Sequence, residues 1–252
     1  MTQNLGLTDI QDLLAVAGTV VIAMDFDIDG ATPALHRLAA APRARVIVLS
    51  ARSVADVRRR LPIDAIFAGN HGLEIAGGPF NFVHPEAERL APQLARLCEA
   101  MEQAIAPWAG VRLENKRVTA TVHLRDCPVD DRCQVRDAIR SVVRPVDDIF
   151  TLCSGRATFE ITPRIGWDKG SAIKYILREL AVEDALTLCI GDEESQDLTG
   201  GITVRVCPSD GLERTYSLPS APSIAELLGG VAQALENARP RSAARLLARG
   251  LV

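Results

Sequence analysis

Seven acidic residues of this chain fall in two short clusters, each directly after an apolar run: Asp25, Asp27 and Asp29 in DFDIDG after VVIAM, and Asp192, Glu193, Glu194 and Asp197 in GDEESQD after TLCI. Carboxylates crowded in this way repel one another and raise one another's pKa unless a cation sits among them. Mg²⁺ answers that need, because it takes oxygen ligands in an octahedron and keeps waters and a phosphate oxygen in its shell. Two further residues suit a phosphate. Ser50 closes the run VIVL and offers a hydroxyl donor, and Lys169, after Asp168 at a helix start, offers a point charge. Taken together, these groups describe phosphoryl transfer onto a carboxylate, with a second carboxylate as acid and base.

Groups so far apart in the chain must be gathered by the fold. An open parallel sheet does this, since ligands collect outside the carboxyl ends of its strands. The sequence supplies such a sheet. A short helix over TDIQDLLAV, with Thr8 as N-cap, precedes the near-continuous apolar run TVVIAM, which fits a strand buried on both faces. A helix around PALHRLAA, a strand RVIVLS, a helix SVADVRRRL and a strand AIFAG follow, the alternation of βαβ crossovers. From about Gly77 the pattern changes. A long helix PEAERLAPQLARLCEAMEQAIA leads to the alternating strands RVTATVHLR and TFEITP, with the helix DRCQVRDAIRSVV between them. Alternation marks sheets with one wet face. After Gly166 the first grammar returns with helix KGSAIKYILREL and strands LTLCIG and ITVRVC, and a helix beginning near Ile224 runs into the basic end ARPRSAARLLARGLV. The reading is an α/β protein in which residues 1–76 and 166–252 form a parallel-sheet core, interrupted by an α+β cap over 77–165.

Composition narrows the partners. The 252 residues carry 28 Lys and Arg against 32 Asp and Glu, a net charge of −4, so nucleic acid is not expected. No apolar stretch reaches the roughly 20 residues of a membrane helix, and the N-terminus lacks the basic start of a signal peptide. Six cysteines without a CxxC pair read as buried thiols of a reducing compartment, and the cytoplasm is the expected location.

With these residues in place, the chain resembles the haloacid-dehalogenase (HAD) superfamily of phosphohydrolases, and within it the trehalose-6-phosphate phosphatase family. The DxDG string, Ser50 in SAR, Lys169 in GWDKG and the acidic GD at Asp192 occur in family order, together with GNHGLEI at Gly69–Ile75, LENK at Leu113–Lys116 and FEI at Phe159–Ile161. The resemblance implies a HAD-like core with an α+β cap and an Mg²⁺-dependent phosphatase acting on trehalose 6-phosphate. In it Asp27 would be the nucleophile and Asp29 the acid and base, with Mg²⁺ held by Asp27, the Asp29 carbonyl and Asp192. Ser50 and Lys169 would grip the phosphate. Arg52, Asn70 and His71 would line the sugar end of the core, and Glu114, Lys116 and Glu160 would reach sugar hydroxyls from the cap.

The string DFDIDGAT holds two overlapping registers. Asp25 with Asp27 keeps the preceding apolar strand, whereas Asp27 with Asp29 keeps the Gly after the second Asp and is favoured on that ground. GDEESQD also departs from the family's acidic pattern, with Gln196 where an Asp is usual. Alternative readings are a phosphatase for another sugar phosphate and a non-catalytic domain of the same fold with a degenerate first motif. The expected partner is a small sugar phosphate, with the oligomeric state, a monomer included, left open by the sequence. His36, His84 and His123 show no ligand spacing and read as structural.

Overall fold

The computed structural model describes residues 18–26, 31–155, 157–182, 185–191, 202–205, 215–217 and 221–237. Two compact units divide it, one formed by residues 1–82 and 167–252, the other by 83–166.

The larger unit is an eight-stranded sheet in the order β12-β11-β10-β1-β2-β3-β4-β5. Its strands are β1 (Val20–Asp25), β2 (Ala44–Leu49), β3 (Ile66–Gly69), β4 (Glu74–Gly77), β5 (Phe80–Val83), β10 (Leu186–Gly191), β11 (Ile202–Arg205) and β12 (Thr215–Ser217). From β12 to β3 all neighbours are parallel; β4 joins β3 antiparallel. The apolar run of β1 follows from its central place. Val20, Ile22 and Met24 face one layer, made with α1 (Thr32–Ala40), α2 (Val54–Arg60) and α6 (Ala221–Asn237); Val21 and Ala23 face the other, made with α5 (Lys169–Glu179). Both faces of the strand are therefore dry, and alternation would be fatal to it.

The hairpin β4–β5 straddles the point near Gly77 where the sequence pattern changes, and it extends the large sheet. Gly77 permits this: at φ +117, a Cβ would lie 2.1 Å from the Ala65 carbonyl oxygen. Phe82 stacks on Tyr175 at 4.7 Å and meets Trp167 at 5.9 Å, which ties the hairpin to α5.

The smaller unit is an antiparallel sheet in the order β6-β7-β9-β8, from β6 (Arg112–Asn115), β7 (Ala120–His123), β8 (Phe150–Ser154) and β9 (Thr158–Pro163). One face carries Ala120, Val122, Phe159 and Ile161 against Leu94, Met101, Val135 and Ile139 of α3 (Pro85–Ile105) and α4 (Arg132–Val143). Strand β9 alternates half-buried and buried without a break, as TFEITP requires. No helix among the described residues is long and apolar enough to cross a membrane. Of the described cysteines, Cys98, Cys127 and Cys189 are buried as expected, but Cys133 and Cys153 are exposed, because they lie on the outer sides of α4 and β8.

Candidate active site

Three consecutive strands of the large sheet end in residues that the sequence marks for chemistry. β1 ends at Asp25, β2 is followed by Ser50, and β3 runs into Asn70 and His71. Asp25 is 9% exposed, and its Oδ1 accepts a hydrogen bond of 2.9 Å from Lys169 Nζ, itself 5% exposed. Lys169 is the first residue of α5, whose N-cap Asp168 accepts from the Ser171 amide at 2.7 Å. The cap fixes the helix start and so the root of the lysine. The field of Asp25 is felt two residues back on the neighbouring strand. The Cys189 thiol is pushed up to about 12, by burial first and then by the Asp25 charge.

Ser50 is 3% exposed and held on three sides. Its amide donates to Ala68 O (3.0 Å), its carbonyl accepts from the His71 amide (2.9 Å), and its Oγ accepts from the Arg52 amide (3.1 Å). With that lone pair engaged, the hydroxyl hydrogen is left to donate, which a phosphoryl oxygen can accept. Arg52 stands over the Phe26 ring at 6.0 Å and pairs with Asp56 at 3.3 Å. Asp56 also takes Arg60 at 3.0 Å and Arg59. Partial burial pushes the Asp56 carboxyl up, but the hydrogen bonds and charges of Arg60 and Arg52 outweigh it and hold the group below the usual range.

The GNHG string has a physical reading. Asn70, His71 and Gly72 sit consecutively in the left-handed region, at φ 49, 59 and 87. For the two non-glycine residues this costs of order 1–2 kcal/mol each. The turn is held from both sides. The Asn70 amide donates to Arg52 O at 2.7 Å, and Trp167 Nε1 donates to Gly72 O at 2.9 Å. Gly69 is pressed so closely that a Cβ would lie 2.5 Å from the Val54 amide nitrogen and 2.8 Å from Arg52 O. Fully buried Asn70 and partly exposed His71 are thereby presented beside Ser50.

The donor set suits a hard divalent cation. Asp25 closes β1, and the adjacent strand β10, paired through Met24 and Ile190, closes at Gly191 directly before Asp192 in the chain. Asp25 offers carboxylate oxygens at its strand end, the donor type that a hard cation takes. Among the described residues, no group of three or more His, Cys, Asp or Glu side chains forms a ready-made cage. Asp27, Asp29 and Asp192, along with the expected N-terminal helix over residues 8–16, lie outside the described residues.

The cap residues belong to the smaller unit. Pairing places Glu114, Thr121, Glu160 and Cys153 in one cross-strand row, and Arg112, His123 and Thr158 in the next. All face away from the helices. Lys116 follows two residues after Glu114 in a tight β6–β7 connection, where its amide donates to Thr119 O at 2.9 Å. His123 Nε2 lies 2.8 Å from Glu114 Oε2. Asp56, Trp167 and His123 are contacts the sequence reading missed. Arg52 and Asp56 do stand at i,i+4 spacing, a legible signal for the first; the other two depend on long-range pairing.

The model of the trehalose-phosphatase family matches residues 25–199. A trehalose-phosphate phosphatase of Mycobacterium tuberculosis is 30% identical over 228 residues, 84% of this chain and 57% of its own length. One from Mycobacterium avium is 32% identical over 225 residues, 82% of this chain and 56% of its own. The chain thus spans little more than half the length of these relatives. Among solved structures, the C-terminal domain of C. albicans trehalose-6-phosphate phosphatase superposes with a TM-score of 0.73 at 16% identity, covering 92% of this chain and 98% of that one. The fold is that of the HAD phosphatases.

Proposed function

The chain belongs to the trehalose-phosphatase family, and from that premise we propose that it is an Mg²⁺-dependent phosphoric monoester hydrolase that converts trehalose 6-phosphate to trehalose and phosphate. The observation that carries this reading is the buried Lys169–Asp25 pair at the end of β1. A carboxylate held there, beside Ser50 and a strained loop, has the attributes of a positioned nucleophile.

The same pair supports Asp25 as the nucleophile and Asp27 as the acid and base, the other register of the carboxylate string. Asp25 ends the buried strand, Lys169 neutralises it, and the family match begins at residue 25. In this scheme a carboxylate oxygen of Asp25 attacks phosphorus and the bond to the sugar oxygen breaks. Asp27 delivers a proton to that oxygen, releasing trehalose and leaving an aspartyl-phosphate. Asp27 then takes a proton from water, whose oxygen attacks phosphorus, and phosphate departs with Asp25 restored. Ser50 donates its hydroxyl hydrogen to a phosphoryl oxygen throughout, and Lys169 balances the charge of Asp25 and aims it. Asp25, Asp192 and the Asp27 carbonyl would hold the Mg²⁺, which supplies charge neutralisation at the phosphoryl group. Arg52, Asn70 and His71 would contact the sugar, and so would Glu114, Lys116 and Glu160 of the smaller unit. We place the reaction in the cytoplasm, supported by the five free cysteines among the described residues.

The test is phosphate release from a panel of sugar phosphates with Mg²⁺ and with EDTA. Release from trehalose 6-phosphate above the other esters, abolished by EDTA, is expected. Tight binding of trehalose 6-phosphate without release from any ester would make the chain a non-catalytic sugar-phosphate binder instead.

A further inference from the structure

The polar face of the smaller sheet holds one contact that the roles assigned above do not use. Glu114 and Glu160 stand in a single row with Thr121 between them. Two strand spacings separate the glutamates, roughly 10 Å at the backbone. Thr121 is 4% exposed and adds little reach. His123 stands in the adjacent row, opposite Arg112 and Thr158, and leans diagonally onto Glu114 with Nε2 2.8 Å from Oε2. The two side chains are 30% and 38% exposed, so the contact sits at the boundary between sheet and solvent.

A glutamate has three rotatable bonds and loses rotamer freedom when a ligand fixes it. A neighbour that fixes it beforehand removes that cost from binding. Glu114 in its ionised form only accepts, so Nε2 carries the hydrogen between them. Resting on the function proposed above, we propose that His123 is a positioning residue for sugar recognition. It holds Oε2 of Glu114, leaving Oε1 to accept from a hydroxyl of the disaccharide. His123 itself touches no reacting atom. It acts through Glu114, and its effect must vanish when Glu114 is gone.

The experiment is a double-mutant cycle on the full chain: wild type, His123→Ala, Glu114→Ala and the double variant. Each is assayed on trehalose 6-phosphate and on p-nitrophenyl phosphate with Mg²⁺. His123→Ala is expected to lower kcat/KM for trehalose 6-phosphate by about tenfold, mostly through KM, the fold-change of one lost hydrogen bond to a charged group. Turnover of p-nitrophenyl phosphate should fall much less. In the Glu114→Ala background, His123→Ala should add less than about twofold, since coupled residues are not additive. His123→Gln, which keeps a donor, should recover most of the loss, and His123→Phe should not; this pair serves if the alanine variant does not fold. Additive losses, or equal losses on both esters, overturn the proposal and leave a merely structural histidine. A wild-type chain that hydrolyses p-nitrophenyl phosphate and no disaccharide phosphate removes the function reading itself, a different outcome from additivity on an active trehalose-6-phosphate phosphatase.

Discussion

Replacing Lys169 by Met should destabilise the larger unit far more than an ordinary surface substitution would. Met keeps the length and the apolar stem but removes the cation that meets Asp25 Oδ1 at 2.9 Å. The side chains are 6% and 12% exposed, so water cannot fully replace the lost partner. Breaking a buried pair from one side costs about 3–5 kcal/mol, a fifth or more of a typical folding free energy of about 5–15 kcal/mol. Urea unfolding in EDTA, followed by far-UV circular dichroism, reads this directly. With a slope of about 2.5–3 kcal/mol/M, the midpoint should fall by about 1–2 M. The double variant Asp25→Asn/Lys169→Met should regain much of that, because no charge is left buried. A loss below about 1 kcal/mol for Lys169→Met, or no recovery in the double variant, would show that the pair is hydrated and does not hold the strand end in a dry site.

Gly69→Ala should cost about 1–3 kcal/mol in thermal or urea unfolding and lower phosphatase turnover, since its Cβ would press on backbone atoms of Arg52 and Val54 that cannot step aside. Gly166→Ala, which meets nothing within 4 Å, serves as the neutral control. Asp56→Asn should cost at most about 1 kcal/mol at neutral pH, because its arginine partners are largely exposed. The folded-state pKa of Asp56 is depressed, so its contribution is present above the unfolded pKa and lost as pH falls through the folded value. Melts of wild type and Asp56→Asn should therefore begin to converge as pH falls below about 4 and meet below the depressed folded value; a gap that does not narrow on that descent would mean Asp56 acts through packing.

Legibility in the sequence followed physical cause. β1, β9 and β10 can be read almost residue by residue, because a strand dry on both faces must be apolar throughout and a half-wet one must alternate. The hairpin β4–β5 and strand β6 are four-residue strands, too short to show a period, and β4–β5 turns on Gly77 and Gly78, which resemble a linker. The candidate site shows the same divide. Ser50 and Lys169 follow from a strand end and a helix start, whereas Asn70 and His71 come only from the family resemblance carried by GNHG. DFDIDG does not resolve itself, because a string alternating every two residues looks the same after a shift of two; the contact from Lys169, 144 residues away, is the observation that supports the register proposed above. His123 read as structural because its partner Glu114 lies nine residues away on another strand, and sequence does not give the pairing register.

The most direct measurement follows the phosphoryl group itself. Wild-type chain mixed with trehalose 6-phosphate and Mg²⁺, quenched in acid within one turnover and mapped by peptide mass spectrometry, should carry phosphate on Asp25, and Asp25→Asn should carry none and release none. Phosphate on Asp27 would contradict Asp25 as the nucleophile. Steady release of phosphate with no phosphorylated aspartate at either position would contradict covalent catalysis at the end of β1.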